Sequence, residues 1–213
     1  MPRTATPAAT GRRIQIRRSG VHGKGVFAVQ PIAEGEVLIE YTGEVIGWQE
    51  AQDRHPHDPL QPNHTFYFHV DDDRVIDAKF GGNSARWINH SCAPNCFADE
   101  VDGRIFITAL RNIAAGEEIN YDYGLIIDER YTPKLKAEYP CWCGAAACRG
   151  TLLAPKRGWV APEARAKAAA PGPGAHGPPF AARPPAARAR SGPRGRGASV
   201  RCWSNPRWAA ARR

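Results

Sequence analysis

Apolar and polar residues alternate along short stretches of residues 12–154, and Gly, Pro or Asp separates one stretch from the next. Alternation with a period of two is typical of strands that bury one face. The strongest hairpin signal is Asp102-Gly103 between two such stretches, because Asp-Gly suits a type I′ turn. A short helix is predicted at 48–54, before Pro56. The predicted strands are 14–16, 26–29, 36–41, 65–70, 75–76, 105–107 and 118–121, with turns at 31–35, 71–73 and 115–117 and a loop at 55–63. The pattern therefore predicts a mainly β domain with few short helices.

The composition changes sharply after residue 154. Residues 155–213 hold 10 of the 19 prolines, 13 of the 29 Lys and Arg residues and a single acidic residue. This segment therefore carries a net charge of +12, whereas residues 1–154 carry −4. Its few large apolar residues do not offset the entropy of ordering a chain. We predict a flexible basic tail over 155–213, in which Trp203 and Trp208 are the features that suggest docking, and a disordered N-terminus over 1–11.

The sequence also bears on the compartment. No apolar run approaches the ~20 residues that a membrane-spanning helix needs. Met1 is not followed by the apolar block of a secretion signal. Six cysteines would suit a disulfide-rich secreted protein, but the chain is long enough to bury a hydrophobic core. We therefore expect no membrane association and a reducing, intracellular setting: the cytoplasm or nucleoid, or a host nucleus if the chain is an exported bacterial protein.

One segment, Arg86-Trp87-Ile88-Asn89-His90-Ser91-Cys92-Ala93-Pro94-Asn95-Cys96, is atypical of both helices and strands. Pro94 interrupts regular hydrogen bonding, and the Asn, His and Ser side chains need polar partners. Such a segment is expected in a folded core only if it binds something. Two other unusual segments follow it along the chain: Tyr121-Asp122-Tyr123, and Cys141-Trp142-Cys143-Gly144 continuing to Cys148-Arg149-Gly150.

Five segments occur in a fixed order along the chain: Gly23-Lys24-Gly25-Val26-Phe27, Tyr41-Thr42-Gly43-Glu44, 86–92, 118–123 and the Cys-x-Cys-x4-Cys run from Cys141 to Gly150. In this order they resemble the SET-domain protein lysine methyltransferases that carry a zinc-binding post-SET segment. The likeness covers roughly residues 12–153. It implies a SET-domain (β-clip) fold of small curled sheets, in which the segment near Asn89 threads beneath the segment near Tyr123 as a pseudoknot. It also implies a SET domain at 12–128 and a post-SET segment at 129–154.

The resemblance implies transfer of a methyl group from S-adenosylmethionine (SAM) to a lysine side chain of a protein substrate, with histone tails among the targets. Such a transfer needs a neutral amine, and an apolar channel favours neutral lysine by desolvation. By position, Tyr123 matches the family's catalytic tyrosine, and Tyr121 matches the residue that tunes how many methyl groups are added. Tyr41 matches a channel-wall tyrosine, although an ordinary strand residue is the alternative. Phe66 stands where some relatives have a second channel tyrosine.

The resemblance also implies where SAM binds. Asn89 would contact it through the side-chain amide and His90 through the backbone. In the turn at 22–26, glycines let the backbone approach a ligand, and Lys24 is a partner for the donor's carboxylate. Arg86 is expected to support the same pocket. The full set of predicted cofactor-binding residues is His22, Lys24, Gly25, Val26, Phe66, Arg86, Asn89 and His90.

The Cys-x-Cys-x4-Cys run supplies three thiolates, one fewer than a tetrahedral zinc site requires. Cys92 and Cys96 are the candidates for the fourth ligand, and the family pattern favours Cys92. A structural zinc ion there would draw the C-terminal loop over the active site beside Asn89. Trp142 and Leu152 are then expected over the cofactor or at the channel mouth. The predicted metal ligands are Cys92, Cys141, Cys143 and Cys148.

Two functions remain open from the sequence. The first is a SAM-dependent protein-lysine methyltransferase that acts on a basic protein, for example a histone. The second is a catalytically silent nucleic-acid or chromatin-binding protein, because a tail of charge +12 binds phosphates without regard to sequence. The intact Tyr121-Asp122-Tyr123 favours the enzyme.

Overall fold

The computed structural model describes residues 12–55, 64–71, 73–127, 129–157 and 160, together with the backbone of 203–204. These residues form β-sheets joined by short turns, with helices α1 (Trp48–Arg54) and α2 (Pro133–Glu138) and a 3₁₀ turn at Ser84–Trp87. The mainly β prediction with few short helices is therefore confirmed. The strands are β1 (Ile14–Arg18), β2 (Lys24–Ala28), β3 (Val37–Tyr41), β4 (Glu44–Gly47), β5 (Tyr67–His69), β6 (Arg74–Asp77), β7 (Asn89–His90), β8 (Cys96–Val101), β9 (Arg104–Ala109), β10 (Glu118–Tyr121), β11 (Ile126–Ile127) and β12 (Trp203–Ser204).

The largest sheet has the strand order β1-β2-β10-β8-β9-β3, and β7 also pairs with β10. Most neighbouring strands within this sheet run antiparallel, whereas β10 runs parallel to both β7 and β8. A smaller sheet, β4-β6-β5, contributes Phe68 and Ile76 to the same apolar core. Side chains of this core that are at most 2% exposed include Val26, Ile88, Ile105, Ile107 and Ile119.

The Asp-Gly hairpin between β8 and β9 is present as predicted. Val101 pairs with Arg104 across the turn. Asp102 and Gly103 have φ angles of 52° and 77°, which a type I′ turn requires at both central positions. Asp tolerates this left-handed conformation and glycine adopts it without steric cost. A local sequence signal thus sets the register of the two strands.

Helix α1 ends at Arg54, as the sequence predicts. The Arg54 guanidinium contacts Asp77 at 3.2 Å and Glu44 at 2.7 Å. Asp77 is completely buried at the end of β6, where an unpaired carboxylate would be strongly unfavourable. These ion pairs therefore fasten the helix to the smaller sheet.

The parallel pairing of β7 with β10 is the feature that positions the candidate site. Asn89 lies opposite Asn120, and His90 lies opposite Tyr121. The Ser91 N–H donates to the Tyr121 carbonyl at 3.1 Å and extends the contact by one residue. The Asn-His segment and the Tyr-Asp-Tyr segment are therefore adjacent, as the resemblance implies.

A fully buried amide, Asn95, holds the loop between β7 and β8 against β10. The Asn95 N–H donates to the Asn120 side-chain oxygen at 3.1 Å, and the Asn120 N–H donates to the Asn95 side-chain oxygen at 2.9 Å. The Asn95 side-chain amide also donates to the Glu118 carbonyl at 2.8 Å and the Glu117 carboxylate at 3.0 Å. Because both its donor and its acceptor are used, this polar side chain is accommodated in the core.

Six elements were not predicted, and one predicted strand is markedly shorter than expected; the unpredicted elements are β4, β7, β11, β12, α2 and the 3₁₀ turn. Strand β4 is a short strand that pairs with β6. Helix α2 carries sequence signals that were overlooked, because the Thr132 hydroxyl caps its first turn at the Leu135 N–H and Pro133 occupies the first position. The strand predicted at 65–70 is reduced to β5.

At the C-terminal end, β12 pairs in parallel with β11. The N-terminus at 1–11, the loop at 56–63 and most of the tail at 155–213 lie outside the described residues, so their predicted flexibility stays a prediction. In the part of the chain that is described, neither helix has the length and apolarity to cross a membrane.

We expect the substitution Asn95→Ala to lower the free energy of unfolding by about 2–4 kcal/mol, because it leaves several buried polar groups without partners. The urea midpoint, measured with an unchanged m-value, checks this. Asn112→Ala is the matched control, since Asn112 is exposed and accepts one hydrogen bond from the Glu34 N–H. Equal midpoints for the two variants would contradict the assigned role of Asn95.

Candidate active site

A cavity of about 780 Å³ opens beside the β7–β10 pairing. Its walls come from the turn before β2, the 3₁₀ turn, the ends of β3, β7 and β10, and the C-terminal segment from 138 to 152. Nine of the predicted catalytic and cofactor-binding residues line it: His22, Lys24, Tyr41, Phe66, Arg86, Asn89, His90, Tyr121 and Tyr123. The structure therefore brings together residues from five separate segments of the sequence.

Two predicted cofactor residues, Gly25 and Val26, do not line the cavity. Val26 is fully buried in the core, opposite Ile16 and Ile119. At Gly25 a Cβ atom would lie 2.2 Å from a Glu118 carboxylate oxygen. The close approach at Gly25 is therefore made by the Glu118 carboxylate of the chain itself.

Tyrosines and phenylalanines form one wall of the cavity and its surroundings. The rings of Tyr121 and Tyr123 are 4.9 Å apart, and both Tyr41 and Tyr121 are about 5% exposed or less. The Tyr123 hydroxyl donates to the Ile88 carbonyl at 2.8 Å. Since this bond commits the hydroxyl proton to Ile88, the lone pairs of the oxygen remain as its acceptor sites. The Tyr41 hydroxyl likewise donates to the Phe66 carbonyl, at 2.9 Å.

Another part of the cavity combines cations with aromatic rings. The Lys24 ammonium lies 4.5 Å from the centre of the Trp87 ring, and the Arg86 guanidinium lies 5.0 Å from it. Arg86 also lies 5.8 Å from the Phe66 ring and donates to the Ala78 carbonyl at 3.0 Å. Such a surface can hold an anionic group near Lys24 and a flat ring system on the tryptophan.

The side chain of Asn89 bonds within the protein. Its amide group donates to the Lys24 carbonyl at 3.0 Å and to the Glu118 carboxylate at 2.8 Å, with a longer contact of 3.4 Å to the His22 carbonyl. The residue therefore fixes the turn that carries Lys24.

His90 is almost completely buried, and its two ring nitrogens face different partners. Nδ1 accepts from the Tyr123 N–H at 3.2 Å, so the proton is assigned to Nε2, which lies 3.4 Å from the Cys92 sulfur. Burial lowers the pKa of His90 to about 4, against the opposing effect of the Asp122 carboxylate. The ring is therefore neutral at neutral pH and links the tyrosine segment to Cys92.

The four cysteines predicted as metal ligands meet at one point. Their sulfur atoms all lie within 4.8 Å of one another, and Cys92 and Cys141 are 3.8 Å apart. Zn–S bonds of about 2.3 Å in a tetrahedron require sulfur separations of about 3.8 Å, so the residues fit a zinc ion. Cys96, the alternative fourth ligand, is instead buried in β8, and burial raises its pKa to about 12.

Backbone amides face the sulfur atoms of this cluster. The Arg149 N–H donates to the Cys92 sulfur at 3.4 Å, and the Cys92 N–H contacts the Cys143 sulfur at 3.5 Å. Burial acts to raise the pKa of Cys143, but the amides of Cys92 and Ala145, with the neighbouring Cys141 and Cys148, lower it to about 6. The thiolate form that a metal ligand requires is thus favoured at Cys143, whereas burial raises the pKa of Cys92 and Cys141.

Sequence reasoning missed several residues of the site. Trp142 and Leu152 line the cavity as expected, but Trp87, Tyr139 and Leu125 also do so without having been assigned a role. The Arg149 guanidinium contacts Asp122 at 2.6 and 3.0 Å. Both partners of that pair lie inside the quoted motifs, so their position beside the cysteines and tyrosines was the available signal.

Comparisons with known proteins agree with this geometry. Residues 23–124 match the family described as SET domain. The chain is 40% identical over 146 residues to histone-lysine N-methyltransferase set1 of Dictyostelium discoideum, an alignment that covers 66% of this chain and 9% of that protein. It is 38% identical over 148 residues to histone-lysine N-methyltransferase ATX2 of Arabidopsis thaliana, covering 66% of this chain and 13% of that protein. It is 37% identical over 143 residues to histone-lysine N-methyltransferase trithorax of Drosophila melanogaster, covering 65% and 4%.

The chain thus spans a small part of each of these relatives. The residues that match the SET-domain family, 23–124, include Lys24 of the Gly-rich turn and the Tyr-Asp-Tyr segment, which contribute to the cavity lining. The curled β-sheet with its parallel β7–β10 pairing and the family match lead to the same assignment. The shared assignment for residues 23–124 is a SET domain.

Proposed function

We propose that this chain transfers a methyl group from SAM to a lysine side chain of a basic protein. The observation that carries the proposal is the Tyr123 hydroxyl, which faces a largely aromatic cavity with its proton committed to the Ile88 carbonyl. The three relatives quoted above are named histone-lysine N-methyltransferases, so histones are the first substrates to test.

The cavity has the size and lining that SAM needs. Small-molecule pockets typically enclose about 300–1,000 Å³, and this cavity falls within that range. Lys24 is the partner for the carboxylate of the donor, while Trp87 and Trp142 offer flat surfaces for its base. When bound, SAM supplies a methyl group made electrophilic by a positively charged sulfur.

The protein's own side chains would prepare the lysine nucleophile. The buried rings of Tyr41 and Tyr121 line the cavity with Tyr123, and Phe68 packs against both of them from the core. Desolvation there lowers the pKa of a lysine ammonium from its ordinary value of about 10.4 and favours the neutral amine. The Tyr123 oxygen can then accept a hydrogen bond from the amine N–H and orient the nitrogen lone pair, which is a positioning effect.

We further propose that Cys92, Cys141, Cys143 and Cys148 hold a structural zinc ion. All four coordination positions come from the protein, so the ion would have no open site for chemistry. It would join Cys92, two residues after His90, to the segment whose Trp142 and Leu152 cover the cavity. Zinc thiolates of this kind also suit the reducing compartment expected from the sequence.

The basic tail supports a second, compatible proposal. Its charge of +12 would bind nucleic acid non-specifically and hold the enzyme near chromatin or a nucleoid. Binding should weaken steeply with salt and disappear when residues 155–213 are deleted.

The methyltransferase proposal is tested by incubating the chain with isotopically labelled SAM and a mixture of histones and ribosomal proteins. Mass spectrometry should find label on lysine side chains. Bound SAM without any labelled lysine would favour the catalytically silent binding protein. The absence of both SAM binding and labelled lysine would refute the proposal.

We expect Tyr123→Phe to reduce the rate of methyl transfer by about 100-fold while SAM affinity stays within a fewfold of wild type, because the hydroxyl orients the amine rather than holding the donor. Single-turnover transfer and equilibrium binding of SAM measure the two effects. Tyr131→Phe is the matched control, since its hydroxyl accepts from the Ile127 N–H and does not line the cavity. Transfer by Tyr123→Phe at the control's rate would contradict the assigned role.

We expect Cys148→Ser to lose the bound zinc and to weaken SAM binding at least about tenfold, because the covering segment is released. Elemental analysis of the purified chain and SAM binding provide the readouts. Cys96→Ala serves as the control, as its sulfur is buried in β8 outside the cluster. If the wild-type chain carries no zinc, or the serine variant retains it, the zinc assignment is wrong.

A further inference from the structure

Arg149 joins the cysteine cluster to the tyrosine segment. It follows Cys148 directly, and its backbone N–H donates to the Cys92 sulfur at 3.4 Å. Its guanidinium forms two hydrogen bonds to the Asp122 carboxylate, at 2.6 and 3.0 Å. One residue therefore binds a cluster sulfur through its backbone and the Tyr121–Tyr123 segment through its side chain.

Asp122 is a buried carboxylate that accepts these hydrogen bonds. Its side chain is 5% exposed, and the Gly124 N–H donates to one carboxylate oxygen at 3.0 Å. Burial acts to raise the pKa of Asp122, but the opposing effects together, of which the Arg149 hydrogen bonds are the largest, hold the pKa below its ordinary value. The buried ion pair is therefore charged on both sides, and its bidentate geometry fixes the relative orientation of the two segments.

His90 forms a second connection between the cysteine cluster and the Tyr121–Tyr123 segment. His90 bridges from the Cys92 sulfur at 3.4 Å to the Tyr123 N–H at 3.2 Å, and its Nδ1 lies 3.6 Å from the Asp122 carboxylate. Arg149 therefore holds Asp122, and His90 holds the backbone amide of the next residue, Tyr123. The position of the Tyr123 hydroxyl depends on this stretch of backbone.

We propose that Arg149 is a positioning residue, which couples the folded cysteine cluster to the placement of the Tyr123 hydroxyl through its ion pair with Asp122. This inference rests on the function proposed above for Tyr123. It assigns the Cys-Arg-Gly segment a role in the rate of transfer, in addition to closing the cavity.

The test compares Arg149→Ala with Arg104→Ala in the full 213-residue chain. Arg104 is the matched control, because it forms an ion pair with Glu40 on the surface and is 60% exposed. We expect Arg149→Ala to lower kcat per SAM-binding site by about 10- to 100-fold and to leave the KM for protein substrate within a fewfold of wild type. Arg149→Lys, which keeps the charge but loses the fork geometry, should recover part of the loss.

The decisive readout is the same substitution in the Tyr123→Phe background. If Arg149 acts through the tyrosine hydroxyl, its removal should there reduce the residual transfer by less than about threefold. An equal loss in both backgrounds would mean a general structural role and would overturn the proposal. The proposal would also be overturned if Arg149→Ala transferred the methyl group as fast as Arg104→Ala.

A readout independent of transfer separates this inference from the proposed function. The rate at which a thiol reagent modifies the cluster cysteines, measured with and without added zinc, should rise about tenfold or more in Arg149→Ala and stay unchanged in Arg104→Ala. A wild-type chain that transfers no methyl group would refute the proposed function. The rates of thiol modification would still show whether Arg149 couples the cysteine cluster to the Tyr121–Tyr123 segment. Equal thiol rates in the two variants would show that Arg149 does not hold the segments together.

Discussion

The parallel pairing of two-residue strand β7 with β10 is the constraint on which the rest of the structure depends. It sets His90 against Tyr121 and Asn89 against Asn120. Asn89, His90 and Tyr121 all line the cavity, and Cys92 of the cysteine cluster lies two residues after His90. Because a pair so short contributes little on its own, its surroundings must stabilise it, and the buried Asn95 with its reciprocal hydrogen bonds to Asn120 provides that support.

The C-terminal segment completes a cavity that the sheet alone leaves open. A strand bridge attaches it at Leu125–Leu153, a second bridge between Pro140 and Thr151 closes the segment on itself, and the cysteine cluster attaches it at Cys92. The proposed metal ligation, the ion pair of Arg149, a strand bridge and a small apolar cluster around Leu153 thus hold this segment in place. A segment held in this way can be both the cover of a donor pocket and a sensor of whether the cluster is assembled.

Features encoded by neighbouring residues could be predicted from the sequence, and features encoded across the chain could not. The Asp-Gly hairpin and helix α1 follow from local turn and helix signals and are confirmed. The Cys-x-Cys-x4-Cys spacing indicated three of the clustered cysteines, and the family pattern favoured Cys92 over Cys96 as the fourth. In contrast, the partners of Asn89, the close approach of Glu118 at Gly25 and the Arg149–Asp122 pair arise only once distant segments meet. Local propensity contains no information on such contacts, so Gly25 was expected to face a ligand where it accommodates Glu118.

A crystal structure of the chain with the demethylated donor product and a lysine-containing histone peptide would test the proposed chemistry at its centre. We expect the donor sulfur and the lysine nitrogen to lie in the one cavity, aligned through the space beside the Tyr123 hydroxyl, with the four cysteine sulfurs bound to a zinc ion. A donor bound elsewhere, or a lysine nitrogen that cannot reach that hydroxyl, would contradict the proposed chemistry.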